Sequence, residues 1–357
     1  MRLSSLSAAA VLFSFTLAFF PPTARAAEAP LRLRIATDDD VFIPALAQQL
    51  GYFADAGIEM VPVKVEDFAK DDYLMQAPLV HDQMDACVHW FQHTVFGARH
   101  NLPITSIMLF NDAPGMTVMV ANRVKDQIKS AADFRGRRVA QGAGYGTKAV
   151  LTGYLAGKYG VLPGAYTPVM VENAGRQEAV LKGLRAGTVD VMTFQQPITG
   201  ALLDSGLVSP LYDLTTKEST AQVLGAPWPA QCLLVAPAFI TRHPDQAQRL
   251  VNVMVRTMRY VNSHTAEEIV AHLPDAYFGT EGRPAVTALI RSTLKTYARG
   301  DYAFTPEEVK LAVATLLASH FDDSEEGRWR RTAENPTVDP AQLYDNRFVA
   351  RAMREIP

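Results

Sequence analysis

The chain has 357 residues, a formal net charge of -3 and 48% hydrophobic residues. This length is more than one hydrophobic core usually serves, so two domains are expected. Because the balance is slightly acidic and no basic stripe is present to neutralise phosphates, nucleic acid is not expected as a partner.

The first 26 residues have the order of features found in a secretory signal peptide. Arg2 supplies a positive charge, an apolar run covers residues 8–20, and small residues around Ala24 and Ala26 mark a cleavage site. The apolar run is short for a transmembrane helix, although an uncleaved N-terminal anchor is the alternative. We therefore predict export to the periplasm and a mature chain that begins at residue 27.

Cys87 and Cys232 are the two cysteines, and each lies inside an apolar run. An exported chain with two cysteines has the chance of one disulfide, but it is not a disulfide scaffold. Two small buried side chains are the default interpretation, and a Cys87–Cys232 bridge is the alternative.

Short apolar runs alternate with amphipathic stretches along the chain, which predicts an α/β fold with parallel sheets flanked by helices. The first unit has predicted strands at residues 31–36, 58–65, 85–89 and 104–110, and predicted helices at 43–53, 71–81 and 92–100. A turn cluster at 111–115 interrupts the pattern. The second unit has predicted strands at 116–121, 138–141, 167–171 and 189–193, with helices at 128–134, 147–159, 177–186 and after Pro197.

A second break falls at residues 225–229, and helical patterns dominate after it. One strand is predicted at 231–235, followed by helices at 243–273, 283–298 and 305–321 and a charged tail with a last helix at 340–353. The predicted organisation is a signal peptide (1–26), the first part of lobe 1 (27–115), lobe 2 (116–227), the helical return of lobe 1 (228–321) and a C-terminal tail (322–357). A cleft between two lobes joined by two crossing strands is a natural place for a small ligand, and hinges at the crossings allow closure.

Several stretches resemble, in order, the periplasmic substrate-binding proteins of ABC importers for nitrate, taurine, alkanesulfonates and the thiamine pyrimidine precursor. They are ALAQQLGYFADAGIEM (45–60), HDQMDACVHW (81–90), IKSAADFRGRRVAQGAGYGTKAVLTGYLAGKYGV (128–161), LKGLRAGTVDVMTFQQP (181–197), ITRHPDQAQRLVNVMVRTM (240–258) and LYDNRFVARAM (343–353). The resemblance implies a two-lobed, type II periplasmic binding protein with a small-molecule ligand and an ABC permease of the inner membrane as partners. We expect a monomer without a cofactor and without enzymatic activity.

In open α/β sheets, ligands bind where strands end and helices begin, and the first such loop carries Asp38, Asp39 and Asp40 before Phe42. Asp39 or Asp40 is predicted to cap the following helix. The alternative is that a remaining aspartate faces the cleft and receives a cationic ligand group. Metal or catalytic use is the least favoured interpretation.

A second loop contains Gly144, Tyr145, Gly146 and Thr147 and leads into a helix. Alternating glycines leave backbone N–H groups free to bind an anion, and the helix dipole favours negative charge. The structural alternative is a flexible turn with Thr147 as the N-cap. The glycine spacing differs from the dinucleotide fingerprint, so a dinucleotide cofactor is not expected.

His89 and Trp90 end a predicted strand, where an aromatic pair either forms a pocket wall or packs in the core. His89 and His93 have the i, i+4 spacing of zinc ligands, but the glutamate of the HExxH motif and a third ligand are missing. No nucleophile elbow or phosphate-loop motif is present, which disfavours an enzyme.

Polar and aromatic residues at strand ends of the second lobe complete the predicted site: Asn173, Arg176, Phe194 and Gln195. An acidic loop opposite an anion-attracting helix terminus favours a zwitterionic ligand such as the aminosulfonate taurine. An aromatic acid or a protonated heterocycle between Phe42, Trp90 and Phe194 is the competing prediction.

Overall fold

The computed structural model describes residues 30–37, 41–64, 76–141, 146–170, 176–279, 282–319 and 337–356. Within these ranges, no helix has the length and apolar character needed to cross a bilayer. The predicted signal peptide and the first part of the predicted tail lie outside the described residues.

Ten strands and fourteen α-helices form within the described part of the chain. The strands are β1 (Leu31–Thr37), β2 (Ile58–Val63), β3 (Ala86–Trp90), β4 (Thr105–Leu109), β5 (Met116–Ala121), β6 (Arg138–Gln141), β7 (Thr167–Met170), β8 (Val191–Gln195), β9 (Val208–Leu214) and β10 (Gln231–Val235). The helices are α1 (Ile43–Gln49), α2 (Tyr52–Asp55), α3 (Gln76–Val80), α4 (Gln92–Arg99), α5 (Thr147–Gly157), α6 (Arg176–Arg185), α7 (Ile198–Asp204), α8 (Lys217–Leu224), α9 (Pro237–Arg242), α10 (Pro244–Ser263), α11 (Ala266–His272), α12 (Gly282–Thr293), α13 (Pro306–Ala318) and α14 (Arg347–Glu355).

The strands form two five-stranded sheets, which confirms the predicted α/β class. The first sheet has the order β2-β1-β3-β10-β4, and the second has the order β7-β6-β8-β5-β9. The prediction of parallel sheets is wrong for one central strand of each, because β10 is antiparallel to β3 and β4, and β5 is antiparallel to β8 and β9. These two are the strands with which the chain enters each sheet after crossing from the other, without the helical crossover that parallel pairing requires.

Both cysteines are buried, and neither belongs to a disulfide. The antiparallel register pairs Cys87 with Leu234 and Cys232 with His89, so the two cysteines are diagonal neighbours. Diagonal residues on paired strands are roughly 7–8 Å apart, which is more than a disulfide spans. The structure therefore agrees with two small buried side chains.

Two elements differ from the sequence prediction for local reasons. The predicted helix at 243–273 is divided into α10 and α11, because Thr265 caps α11 and forms a reciprocal capping box with Glu268. Strand β9 was not predicted, since Pro210 and polar neighbours hide its pattern, and β9 lies at a sheet edge, where proline is tolerated. Helix α14 of the predicted tail packs against α10 and β4, so this part of the tail folds onto the first sheet.

Candidate functional site

The chain passes between the two sheets twice, and the two crossings are hydrogen-bonded to each other. Residues 110–115 lead from β4 to β5, and residues 225–230 lead back to β10. The Asn111 amide donates to the Gln231 carbonyl at 3.2 Å, and the Ala230 amide donates to the Asn111 carbonyl at 2.8 Å. The Trp228 amide donates to the Asp112 carbonyl at 3.3 Å. This arrangement fixes the crossings side by side and makes them the structural axis between the sheets.

A cavity of about 360 Å³ lies at this axis. Its walls come from the crossings (Asn111 and Gly115), from the ends of β3 and β8 (Trp90 and Gln195), and from the segment that includes α12. Pockets for small organic ligands have this size and are mostly apolar with a few placed polar groups.

Aromatic rings supply much of the cavity wall. Phe42 is 1% exposed, and its ring meets that of Tyr297 edge-on at 5.8 Å between centroids. Trp90 is half-buried, and its ring lies 6.4 Å from that of Trp228, which donates its indole N–H to the Thr315 hydroxyl at 3.0 Å. Flat apolar faces held by such contacts suit a ring-shaped ligand.

The polar groups on the wall are amides and hydroxyls. Asn111 is 5% exposed, and its Nδ2 donates to the Thr296 hydroxyl at 2.7 Å. The Thr296 hydroxyl in turn donates to the Thr293 carbonyl at 2.8 Å. Gln195, Gln196 and Gln231 also lie on the wall, and the lining within the described ranges contains no carboxylate, lysine, arginine or histidine.

Three residues predicted for the site lie on the cavity wall: Phe42, Trp90 and Gln195. Trp90 ends β3 and Gln195 ends β8, so both occupy strand ends, as expected for an α/β ligand site. The structure therefore brings together residues from both sheets around one cavity.

Other predicted residues do not belong to this wall. Phe194 is fully buried in the second sheet, so its ring serves core packing. His89 precedes Trp90 on β3 and points to the opposite face of the strand, where its ring contacts that of His93 at 4.1 Å. Burial lowers the pKa of His89 to about 3, so the ring is neutral. Among the described residues, no group of three His, Cys, Asp or Glu side chains is placed to hold a metal ion.

The helix starts also differ from the sequence prediction. Helix α1 has Phe42 at its N-cap, so neither Asp39 nor Asp40 occupies the capping position predicted for them. Gly146 is the N-cap of α5, and Thr147 is the first helical residue rather than the cap. Thr147 is 6% exposed.

The remaining predicted residues are Asp38, Asp39, Asp40, Gly144, Tyr145 and Asn173, which lie outside the described residues. Arg176 begins α6, and its side chain also lies outside the described part. The proposed acidic wall and anion-binding loop thus remain predictions.

Sequence reasoning missed the contribution of Asn111 and of the segment from Tyr277 to Tyr297. Asn111 belongs to the turn cluster at 111–115, which was interpreted only as a break between units. The presence of a polar residue, Asn111, within that break was the feature of the sequence that could have indicated a place on the cavity wall. For α12, the apolar residues Val286 and Ile290 have ordinary helical spacing, which does not tell a cavity wall from a core face.

Comparison with known proteins places this architecture in a family. The family model described as "NMT1/THI5 like" matches residues 41–268. A search of curated proteins finds no match.

Solved structures with the same fold include binding proteins and an enzyme. A protein from Bordetella bronchiseptica RB50 has 21% sequence identity and a TM-score of 0.68, covering 92% of this chain and 99% of that chain. The periplasmic aliphatic sulphonate binding protein SsuA from Escherichia coli has 17% identity and a TM-score of 0.64, covering 88% and 97%. A mutant of DSZB in complex with biphenyl-2-sulfinic acid has 14% identity and a TM-score of 0.60, covering 90% and 99%. These likenesses show the fold, which is that of periplasmic binding proteins.

Proposed function

The chain belongs to the NMT1/THI5-like family, and we propose that it is the solute-binding component of an ABC importer. It acts in the periplasm after removal of its signal peptide, captures a small organic solute as a monomer and delivers the solute to a permease of the inner membrane. The observation that carries this proposal is the cavity at the two crossings, which residues from both sheets line.

The position of the cavity supports capture by closure. Rotation of the two sheets about the crossings changes the distance between Trp90 on β3 and Gln195 on β8, while the hydrogen bonds between the crossings stay intact. A salt bridge joins the Lys217 ammonium of α8 to the Asp112 carboxylate of the first crossing at 3.3 Å. A ligand that contacts both walls stabilises the closed arrangement.

An exported enzyme is the alternative, because another solved structure describes DSZB as a desulfurization enzyme and fold alone does not decide function. Enzymes of hydrolytic type need a nucleophile and a base close to the substrate. The described part of the cavity lining offers no cysteine, histidine or carboxylate. This composition favours binding without turnover.

The described walls favour a ring-bearing ligand over taurine. The partly exposed rings of Trp90 and Tyr277 present aromatic surface on this wall, and an aliphatic aminosulfonate needs charged or strongly polar partners instead. The residues predicted to supply those partners are the aspartates before Phe42 and the glycine-rich loop before α5. A solute with an aromatic or heterocyclic ring is therefore the substrate class that we propose.

A thermal-shift screen of the protein, freed of bound solute by unfolding and refolding, tests the proposed function. The panel contains taurine, alkanesulfonates, nitrate, pyrimidines, aromatic acids and aromatic amides. A compound at about 100 times its dissociation constant adds about 2.7 kcal/mol of stability, which is a shift of a few degrees.

We expect ring-bearing compounds to stabilise the protein, and we expect the Trp90→Ala substitution to abolish this stabilisation. Tyr159→Ala is the matched control, since Tyr159 is 53% exposed and does not line the cavity. If no small solute stabilises the protein, or if a ring-bearing compound is converted to product, the proposed function is wrong.

A further inference from the structure

We propose that helix α12 is a lid over one side of the cavity, that Arg283 holds this lid closed, and that solutes enter and leave when α12 moves away. The inference rests on the proposed function and deepens it by naming the element that controls access to the site. The movement of one helix differs from the rotation of the two sheets about the crossings, and it is testable without a ligand.

Helix α12 has less apolar attachment than a helix of the core. Two of its twelve residues are buried, Val286 and Ile290, whereas ten of the twenty residues of α10 are buried. Both Val286 and Ile290 lie on the cavity wall, together with the partly exposed Leu289 and Thr293. Because apolar burial stabilises a helix in proportion to the area removed from water, α12 is held less firmly than α10. A solute in the cavity would add to the contacts of this face.

Arg283, in the first turn of α12, joins this helix to three neighbours. Its Nη1 donates to the Val270 carbonyl of α11 at 2.9 Å, and its Nη2 lies 3.2 Å from the Asp275 carboxylate. Its guanidinium also lies over the ring of Phe278, 4.1 Å from the ring centroid. Phe278 is itself part of the cavity wall. One side chain therefore ties the start of α12 both to α11 and to a ring that lines the cavity.

The polar contacts of α12 lie largely in water. The side chains of Arg283 and Asp275 are 48% and 95% exposed, and an ion pair so exposed contributes little to stability. Near the other end of α12, Arg291 pairs with Glu267 of α11, and both side chains are 58% exposed. Since few apolar side chains and exposed polar contacts hold it, α12 is expected to open locally while the two sheets stay folded.

The chain after α12 reaches the second lobe. Lys295 follows the helix by two residues, and its Nζ donates to the Thr215 hydroxyl at 2.9 Å. Thr215 lies between β9 and α8 of the second lobe. Helix α12 therefore runs from α11 of the first lobe to a contact with the second lobe and closes one side of the cavity on the way. Movement of an element in this position controls passage between the site and solvent.

Quenching of Trp90 fluorescence by acrylamide tests the inference on the protein without a ligand. Trp90 lies on the cavity wall, and Trp228→Phe and Trp329→Phe leave it as the single tryptophan of the chain. The quenching constant then measures how freely a small neutral solute reaches the wall. In this background, Arg283→Met removes the hydrogen-bond donors and the charge but keeps an unbranched side chain.

The quenching constant of Trp90 should rise roughly twofold or more in Arg283→Met, because α12 is open for a larger fraction of the time. Arg256→Met is the matched control. Arg256 lies over the Tyr52 ring at 4.1 Å and pairs with Asp55 at 3.1 Å, which is the same kind of contact, but the three residues lie outside the cavity lining. This substitution should leave the quenching constant unchanged.

Lys295→Met is the second variant and decides the question if Arg283→Met does not fold, as judged by circular dichroism. Lys295 is exposed, and its replacement releases the end of α12 from Thr215, so the quenching constant should again rise. An unchanged constant in the folded variant, or an equal rise in Arg256→Met, overturns the inference. Because quenching involves no bound solute, the lid can fail while the thermal-shift screen still supports the proposed function, and the two failures are distinguishable.

Discussion

Glu308 gives the protein a pH-dependent stability that is measurable without knowledge of the ligand. Glu308 is 2% exposed and lies in the first turn of α13, where its carboxylate accepts a hydrogen bond from the Thr305 amide at 2.7 Å. Burial raises the pKa of Glu308 from 4.5 to about 7, although the Thr305 amide and Lys217 act in the opposite direction. Asp112 raises the pKa further because its charge has the same sign.

The direction of the effect follows from linkage between protonation and folding. The folded state binds the proton of Glu308 more tightly than the unfolded chain does, so this stabilisation is complete below about pH 4.5 and is lost as the pH rises through about 7. The pKa of about 7 in the folded state exceeds the ordinary value of 4.5 by about 2.5. At 1.36 kcal/mol for each pKa unit, this difference corresponds to about 3 kcal/mol of unfolding free energy. Glu308→Gln removes the ionisable proton and keeps an oxygen for the Thr305 amide.

Urea unfolding of both proteins at about pH 4 and about pH 8.5 measures this effect. We expect similar unfolding free energies at the lower pH and a variant that is about 3 kcal/mol more stable at the higher pH. Glu307→Gln is the matched control, because Glu307 is the exposed neighbour on the same helix. If Glu308→Gln shows the same difference from wild type at both pH values, the burial argument is wrong.

Two further predictions concern the second sheet and the first crossing. Asp190→Asn should lower the unfolding free energy by about 2 kcal/mol at neutral pH. Burial alone would raise the pKa of Asp190, but hydrogen bonds from Arg138 at 2.9 and 2.8 Å and from Arg123 hold it at about 2. This stabilisation is present above pH 3.8 and is lost as the pH falls through about 2, so the unfolding free energies of wild type and Asp190→Asn should become equal at low pH. Unfolding free energies that stay apart in an acid titration would contradict the argument. Gly115→Ala should weaken ligand binding measured by isothermal titration calorimetry, because Gly115 has φ +68° and an added Cβ would lie 3.0 Å from Thr296 Cγ2. Gly160→Ala, with the same φ and open surroundings, should cost about 1–2 kcal/mol of stability without affecting binding; equal loss of binding in both variants would refute the argument.

The sequence predicted the alternation of strands and helices well because that information is local. The apolar run of β10 and the turn clusters beside the crossings are visible in the residue types themselves. Strand direction is not local: β5 and β10 have the apolar composition of any buried strand, and their antiparallel pairing depends on how the chain crosses between sheets.

The candidate site was less predictable for the same reason. Phe42, Trp90 and Gln195 were identified because each lies at a strand end or a helix start. Phe194 is the neighbour of Gln195, and the two-residue period of a strand places it on the other face, where it packs in the core. Asn111 lies on the cavity wall and donates to Thr296, which is 185 positions along the chain. Such a contact leaves no pattern in a single sequence.

The measurement that tests the central claim most directly is ligand titration followed by the fluorescence of Trp90. Trp228→Phe and Trp329→Phe leave Trp90 as the single tryptophan of the chain. A compound that stabilises the protein is predicted to change Trp90 emission saturably, with the dissociation constant found by calorimetry, because Trp90 lies on the cavity wall. A stabilising compound that binds without any change in Trp90 emission would place the ligand elsewhere and contradict the account.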